Sequence, residues 1–550
     1  MINIFTNYFT FLLIAFFNGK IFINYFCKDI KNLNNFEQSI VGLIVTGFLA
    51  QLINFFFPLN DLLVYLNLII IFFYFFFYFK KEINLKFSLF YIPILIFCLT
   101  LASIYGSSFS DDLNHYHHGS IVNSDTGNYI IGLNSLHSHY GFASIWLTLH
   151  SYLNFDYSRL QDIHILNAII LFLFLNFIFF EIINESKKKG TIYLPILLFF
   201  LIFVLIKYAR LKEFGIDRSA FLIFFYIILF YIKHLILDDS KKQTEQFKVS
   251  VLLLLFLLCT FLFFIKIIFF FSLILPITAF LLIKKKKLIL SNPLLYLLGA
   301  IYISYFTKNF LISGCLIYPI ETLCFQHLPW YELEVIKNLK FNTEVFNKSF
   351  FQYSGTLTQD EYIKNFNWVA SWLKRNTKEL IEFIALLSLV FIITILNFKK
   401  LDDTRNNNPK IYFVTLKVIF IFSLLLIFLK TPVIRMSHHV FILFFIILFL
   451  TYFKNYTALA NKKILFLLIL IAFTFNISKN LIRIKSSNFI NDPIYVLKKS
   501  GLYKEADKKN LGNFVYYKGW IGGYPVGSSN LDNYNYKKWF IFDIISKKKN

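Results

Sequence analysis

Charge is scarce in this chain. Charged residues fill 16% of its 550 positions, against about a quarter in an ordinary soluble domain. Acidic residues are scarcer still, 31 Asp and Glu against 55 Lys and Arg. Cysteine is sparse too: Cys27, Cys98, Cys259, Cys315 and Cys324 do not make a disulfide framework. Cys98 and Cys259 lie inside apolar runs and read as small buried hydrophobes. Cys315 and Cys324 share one loop and could pair if that loop is extracytoplasmic, although spacing alone does not fix geometry. The opening stretch MINIFTNYFTFLLIAFF has no charged leader and no small-residue cleavage site, so it is expected to stay as a first span rather than be removed as a signal peptide. No clear internal repeat is visible.

What is abundant is apolar surface: 57% hydrophobic residues, 73 Phe and a mean hydropathy of +0.62. The apolar residues fall in repeated runs, and about 20 helical residues cross a hydrocarbon layer of roughly 30 Å. The expected fold is an all-α integral membrane bundle of about 12–14 transmembrane helices with two long extracytoplasmic loops. Candidate spans are 4–24, 39–57, 62–79, 87–104, 161–183, 191–206, 219–237, 249–265, 267–283, 292–312, 379–397, 411–429, 438–453 and 464–478. Residues 249–283 are interrupted only by Lys266 and Pro276, and a tight hairpin with Lys266 at its outer turn is the preferred reading over a broken helix.

The formal charge of +24 would suit nucleic acid if it were gathered on one surface. It is instead dispersed as short stops between apolar runs: Lys187–Lys189, Lys284–Lys287, Lys399–Lys400 and Lys462–Lys463. That is the positive-inside pattern, with some capacity to attract anionic lipid, and no nucleic-acid partner is expected. These stops alternate onto one face, the cytoplasmic one. The chain then divides into N-terminal helices (1–104), a first outer loop (105–160), a central bundle (161–312), a second outer loop (313–378), C-terminal helices (379–478) and a polar outer tail (479–550). The outer link 207–218 breaks the charge rule with Lys207, Arg210, Lys212 and Arg218, which points to a local need such as an anionic ligand. Asp217 beside Arg218 reads most simply as a surface ion pair.

Long ordered loops are usually functional, and the first carries SDDLNHYHHGS at 110–120. Ser110 can cap a helix that begins at Asp111, with Asp111, His115 and His118 on one face and Asp112 beside them. A carboxylate at the membrane surface can serve as a general base. A solvated loop is the plain alternative. His115, His117, His118, His137 and His139 with two Asp also make a divalent metal possible, although their spacing matches no defined zinc motif and no metal ligands are assigned. Trp146, Trp330, Trp368 and Trp372 read as interfacial anchors, and His438 and His439 as the polar start of a span.

The stretch GLNSLHSHYGFASIW (132–146) resembles a G-L-x-N-L-H-x-R-x-x-F-N-S-x-W pattern in a family of poorly characterised bacterial multi-span proteins related to the GT-C glycosyltransferases. Gly132, Leu133, Leu136, His137, Phe142, Ser144 and Trp146 match. Ser135 stands where Asn is usual, His139 where Arg is usual and Ala143 where Asn is usual. SGCLIYP (313–319) is similar to the family's T-G-Y-P-L-Y-P element, and TPVIRM (431–436) to its P-x-x-R element.

The resemblance implies an enzyme that moves a sugar from a polyprenyl phosphate carrier to a glycan, lipid or protein acceptor of the cell envelope, on the outer face of the bacterial inner (plasma) membrane. It implies an essential acidic residue in the first outer loop, hence Asp111 or Asp112, with His115, His118, His137 and His139 lining the site. Arg435, and after it Arg210, would hold phosphate, since Arg is always charged and binds phosphate bidentately. The alternative is a transporter, flippase or polymerase-like protein that handles lipid-linked glycans without this chemistry. Transporters usually show paired halves and polar groups at mid-membrane.

Overall fold

A computed structural model describes residues 2–30, 33–79, 91–106, 116–153, 164–188, 192–211, 215–237, 244–400, 410–452, 457–459, 462–486, 507–511, 514–518 and 534–548. Helices α1 (Ile2–Phe26), α2 (Asn35–Ile53), α3 (Asp61–Tyr74) and α4 (Tyr91–Tyr105) come first. The short α5 (His118–Thr126) and α6 (Ile145–Tyr152) follow, then α7 (Ile165–Ser186), α8 (Tyr193–Lys207), α9 (Ile216–Tyr231) and α10 (Glu245–Ile265). Next are α11 (Ile274–Leu282), α12 (Lys287–Leu290), α13 (Pro293–Ser313), α14 (Leu333–Asn347) and α15 (Gln359–Ile363). The last are α16 (Trp368–Leu396), α17 (Lys410–Lys430), α18 (His438–Tyr452) and α19 (Lys462–Ser486). Strands are few and short: β1 (Phe398–Lys400) pairs with β2 (Thr457–Leu459), β3 (Asp507–Leu511) with β4 (Phe514–Lys518), and β5 (Tyr534–Trp539) with β6 (Phe542–Lys547), all antiparallel.

Among the described residues nine helices are long and apolar enough to cross a membrane, and five shorter apolar segments accompany them. The protein is a multi-span, all-α membrane protein, and each apolar run marked in the sequence falls on one of these helices. Burial sorts them. In α7, α9 and α10, 89% of the most apolar window is packed inside the protein, against 22% in α16 and 17% in α19. The first three form the centre. The last two present Leu389, Ile392, Phe466 and Ile471 outward, as a lipid-facing helix does.

Local chemistry sets the helix ends. Asn34 caps α2 through Oδ1, which accepts from the Glu37 amide at 2.9 Å, while Glu37 accepts the Asn34 amide in return. Pro293 opens α13 behind Asn292, and Gly314 closes it in the left-handed conformation, φ 76°. Helices α1 and α2 cross backbone to backbone: a Cβ on Gly42 would sit 1.7 Å from the Ala15 carbonyl oxygen, and one on Gly19 would sit 1.8 Å from that of Gln38. Small residues permit such approach between membrane helices, where tight packing replaces the hydrophobic effect.

Residues 249–283 fold as the expected hairpin. The chain leaves α10 at an extended Lys266, passes through a 3₁₀ turn (Ile267–Leu273) into α11, and returns so that the Lys284 amide donates to Glu245 at the start of α10, 3.3 Å.

Three boundaries differ from those read in the sequence. The end of the second loop is helical: α15 is followed by a break at Asn365 and Phe366, both at positive φ, and α16 then begins at Trp368, eleven residues before the expected span, and runs unbroken to Leu396. Helix α19 continues past 478 because Asn480 turns inward and donates to Ser103 Oγ at 3.1 Å. The stretch 105–160 is more than a surface loop: every residue of α6 is buried, with Leu149 beside Gly47 of α2 and Ser144 donating to the Ile265 carbonyl of α10, 2.8 Å.

The segments expected outside do gather at one end. The Gly132 amide donates to the Leu311 carbonyl at 2.8 Å, and Ile131 exchanges backbone hydrogen bonds with Asp543 and Ile545 of the tail hairpin. Tyr318 donates to the Ser138 carbonyl, 2.8 Å. Cys315 and Cys324 form a disulfide, the pairing expected of an extracytoplasmic loop. At the opposite end Lys233 bridges Glu37 and Glu181, at 3.3 and 3.0 Å.

Candidate functional site

The end of α8, the start of α9, the end of α10 and the start of α18 meet at one end of the bundle, where several charged side chains gather. Asp217, in the first turn of α9, forms an ion pair with Lys266 at the turn after α10. Lys266 also donates to Met436 Sδ at 2.9 Å. Arg435 and His117 lie within electrostatic reach of the same carboxylate. Asp217 therefore pairs with Lys266 rather than with its neighbour Arg218, because consecutive residues leave a helix about 100° apart and cannot share a partner on one face.

Arg218 turns the other way, towards Tyr208, Arg210 and Arg483. Its Nη1 is buried and has no hydrogen-bond partner. Arg483, one turn beyond the expected end of the last span, donates to the Ala209 carbonyl at 3.2 Å and to Asn480 Oδ1 at 3.0 Å. Among the described residues no carboxylate lies within ion-pair distance of Arg210, Arg218 or Arg435. Lys207, by contrast, faces Glu379 and Glu382 of α16 and packs over the Phe383 ring, 4.9 Å from its centroid. The charges of the link 207–218 thus separate: Lys207 faces α16, Arg210 and Arg218 have no ion-pair partner among the described residues, and Lys212 lies outside them.

The histidines of the first loop occupy a platform on the same end. His137 Nδ1 accepts from the His139 amide at 3.3 Å, and their rings are 5.0 Å apart. His139 stacks on Tyr116, also at 5.0 Å. Both rings are partly exposed. His118 begins α5, one residue after His117. Asp111, Asp112 and His115, the expected catalytic pair and its neighbour, lie outside the described residues, as does the helix expected to start at Asp111. Among the described residues no group of three or more His, Cys, Asp or Glu side chains is arranged to hold a metal ion.

Several residues read as membrane-surface features have other work. Trp146 and Trp368 are fully buried, Trp368 beneath the Lys348 ammonium at 5.3 Å. Trp330 donates to the Phe310 carbonyl, 3.2 Å, and holds the second loop onto α13. His438 is no mere polar start: Tyr208 lies within hydrogen-bond distance of its Nδ1 at 3.3 Å, and it stacks on Phe383 at 4.6 Å.

One functional candidate escaped the sequence reading. Lys308, the single charged residue of α13, is 1% exposed, and a lone lysine in an apolar run is the signal that marks such a group.

No curated protein and no solved structure matches the chain. A family model does match, over a stretch that takes in the outer cluster through Arg435 and His439 and stops short of α19 and the tail hairpin. Residues 1–442 match the model described as Domain of unknown function (DUF8201), and the chain belongs to that family.

Proposed function

We propose that the protein is a membrane glycosyltransferase of GT-C type that moves a sugar from a polyprenyl phosphate carrier onto a cell-envelope acceptor at the outer face of the bacterial inner membrane. The observation that supports this reading is the set of arginines at one end of the bundle, Arg210, Arg218 and Arg435, with no carboxylate within ion-pair distance among the described residues. Arg210 and Arg435 are exposed and Arg218 is half-buried, so the first two are open to an incoming anion, and the buried Arg218 Nη1 is the group that gains most from one. A phosphate on a lipid carrier supplies such an anion and leaves its chain in the bilayer.

In this reading Arg218 and Arg210 hold the leaving phosphate, and Arg435 stabilises the charge that develops on it as the sugar departs. Asp111 or Asp112 takes the acceptor proton. His137 and His139 offer hydrogen bonds to sugar hydroxyls, and the Asp217–Lys266 pair fixes the relative position of α9 and α10 beneath them. The expected test is binding of undecaprenyl phosphate in detergent. Arg218→Gln weakens it about tenfold or more, the scale of one charge-assisted hydrogen bond of roughly 1.5–3 kcal/mol. Unchanged binding in both Arg218→Gln and the Arg210→Gln, Arg218→Gln double variant overturns the assignment.

A second reading, movement of the lipid-linked glycan without transfer, has one observation in its favour. The Glu37–Lys233–Glu181 cluster sets two buried carboxylates against one ammonium, and buried ionisable groups of this kind recur in transport pathways. Its signature is lipid scrambling that Glu181→Gln abolishes while sugar transfer is absent.

A further inference from the structure

Helices α5, α6 and α13 line a small cleft of about 40 Å³, open on one side, with no arginine in its lining. Ser120, Asn123, Asn128, Tyr129, Thr148 and Lys308 supply its polar lining. Lys308 enters from α13 with 1% of its surface exposed. Its ammonium donates to Thr148 Oγ1 at 3.3 Å and stands 5.4 Å from the centroid of the Tyr129 ring. Among the described residues no carboxylate reaches it. Across the cleft Asn123, 6% exposed, has a buried Oδ1 with no partner.

We propose that this cleft is a second binding site, for a single phosphate group, with Lys308 as its cation. An ammonium has three protons to donate. Thr148 accepts one, the Tyr129 ring faces the charge without neutralising it, and the rest of the hydrogen-bonding capacity points into a polar space. Burying a lone ammonium is expensive, whereas a bound phosphate would satisfy charge and protons together. Ser120 and Tyr129 already donate to the Tyr116 and Gln51 carbonyls and Asn128 to that of Ile541, so their oxygens are left to accept, from a protonated phosphate or from the hydroxyls of a lipid headgroup, and Lys308 is the donor to the anion. The site does not depend on sugar transfer: it would exist in a transporter as well.

The test uses the full chain with Arg210→Gln, Arg218→Gln and Arg435→Gln already in place, so that these three arginines do not contribute. Its unfolding midpoint is followed in phosphatidylcholine nanodiscs against inorganic phosphate at constant ionic strength, and separately in nanodiscs with added phosphatidylglycerol. A rise with phosphate identifies free anion as a sufficient ligand, and a rise only with phosphatidylglycerol identifies the headgroup. In either case Lys308→Met lowers the apparent affinity about tenfold or more, the scale of a lost charge-assisted hydrogen bond. Without anion, that variant unfolds no lower than its parent, because an unpaired buried charge has been removed. Asn123→Leu, which fills the cleft and leaves the cation, also abolishes the rise and serves as the second variant if Lys308→Met does not fold. A response to either probe that survives both substitutions, or no response to either probe with Lys308 and Asn123 intact, overturns the proposal.

Discussion

Ala143 adopts φ 41°, the left-handed region that L-residues with a Cβ avoid and that Asn tolerates best. It is also the position where the resembled motif carries Asn. Ala143→Asn is therefore expected to stabilise the protein by about 1 kcal/mol, visible as a higher unfolding midpoint; a lower one contradicts the backbone described for the turn into α6. The matching Gly132 cannot be changed at all cheaply, since its φ is 75° and a Cβ would meet the Ile545 carbonyl oxygen at 2.1 Å. The Asp217–Lys266 pair is partly exposed, about 30% and 26% by side chain, so a double-mutant cycle with Asp217→Asn and Lys266→Met should return about 1 kcal/mol of coupling. A coupling near zero would mean that the pair positions nothing. At this scale the sequence was legible where one residue stood out against its surroundings, as Lys266 did. It was not legible where the partner comes from a distant element: nothing local says that Asp217 prefers Lys266, 49 positions away, to the arginine beside it.

The helices were the most legible elements, because apolar runs of fixed length are dictated by the bilayer itself. Helix α6 was hidden for the opposite reason. With eight residues it is too short to register as a span, and its polar flanks make it look like part of a loop until α2 and α10 are seen to bury it. The crossing of α1 on α2 could not be read from two isolated glycines, yet it admits no side chain. Gly42→Leu should leave little folded protein in a detergent-extraction assay, while Gly299→Leu, with nothing within 4 Å, should extract normally.

The tail hairpin is tied to the second loop by Lys547 and Glu332, 3.9 Å apart. Burial raises the Glu332 carboxyl above its ordinary range, with Lys547 opposing, and its Oε1 has no partner. A raised folded-state value means the contribution to stability is largest when the group is protonated and is lost as pH rises through that value. Glu332→Gln should accordingly raise the midpoint near pH 7, with the gain vanishing below about pH 4. A gain that grows on acidification would reverse the sign and refute this account of the contact.

For the whole molecule, the distribution of charge is the organising fact. Lysine stops, expected on the cytoplasmic side, lie at one end. The other end gathers described parts of both long loops, the tail hairpin, the His137–His139 platform and three arginines with no carboxylate within ion-pair distance among the described residues. The membrane class followed from the sequence because it rests on composition. The chemistry did not, because it depends on which cations are left unanswered after folding, and Arg218 and Lys308 became visible only when their surroundings were filled in. The central claim is sugar transfer, and its most direct measurement is the movement of labelled sugar from a panel of polyprenyl phosphate donors in proteoliposomes, for the wild type, Asp111→Asn and Asp112→Asn. The account predicts transfer from at least one donor by the wild type and its loss in one of the two variants, with both variants folded. Transfer retained in both variants and in the double variant, or no transfer from any donor alongside movement of the lipid-linked sugar across the bilayer, would contradict it.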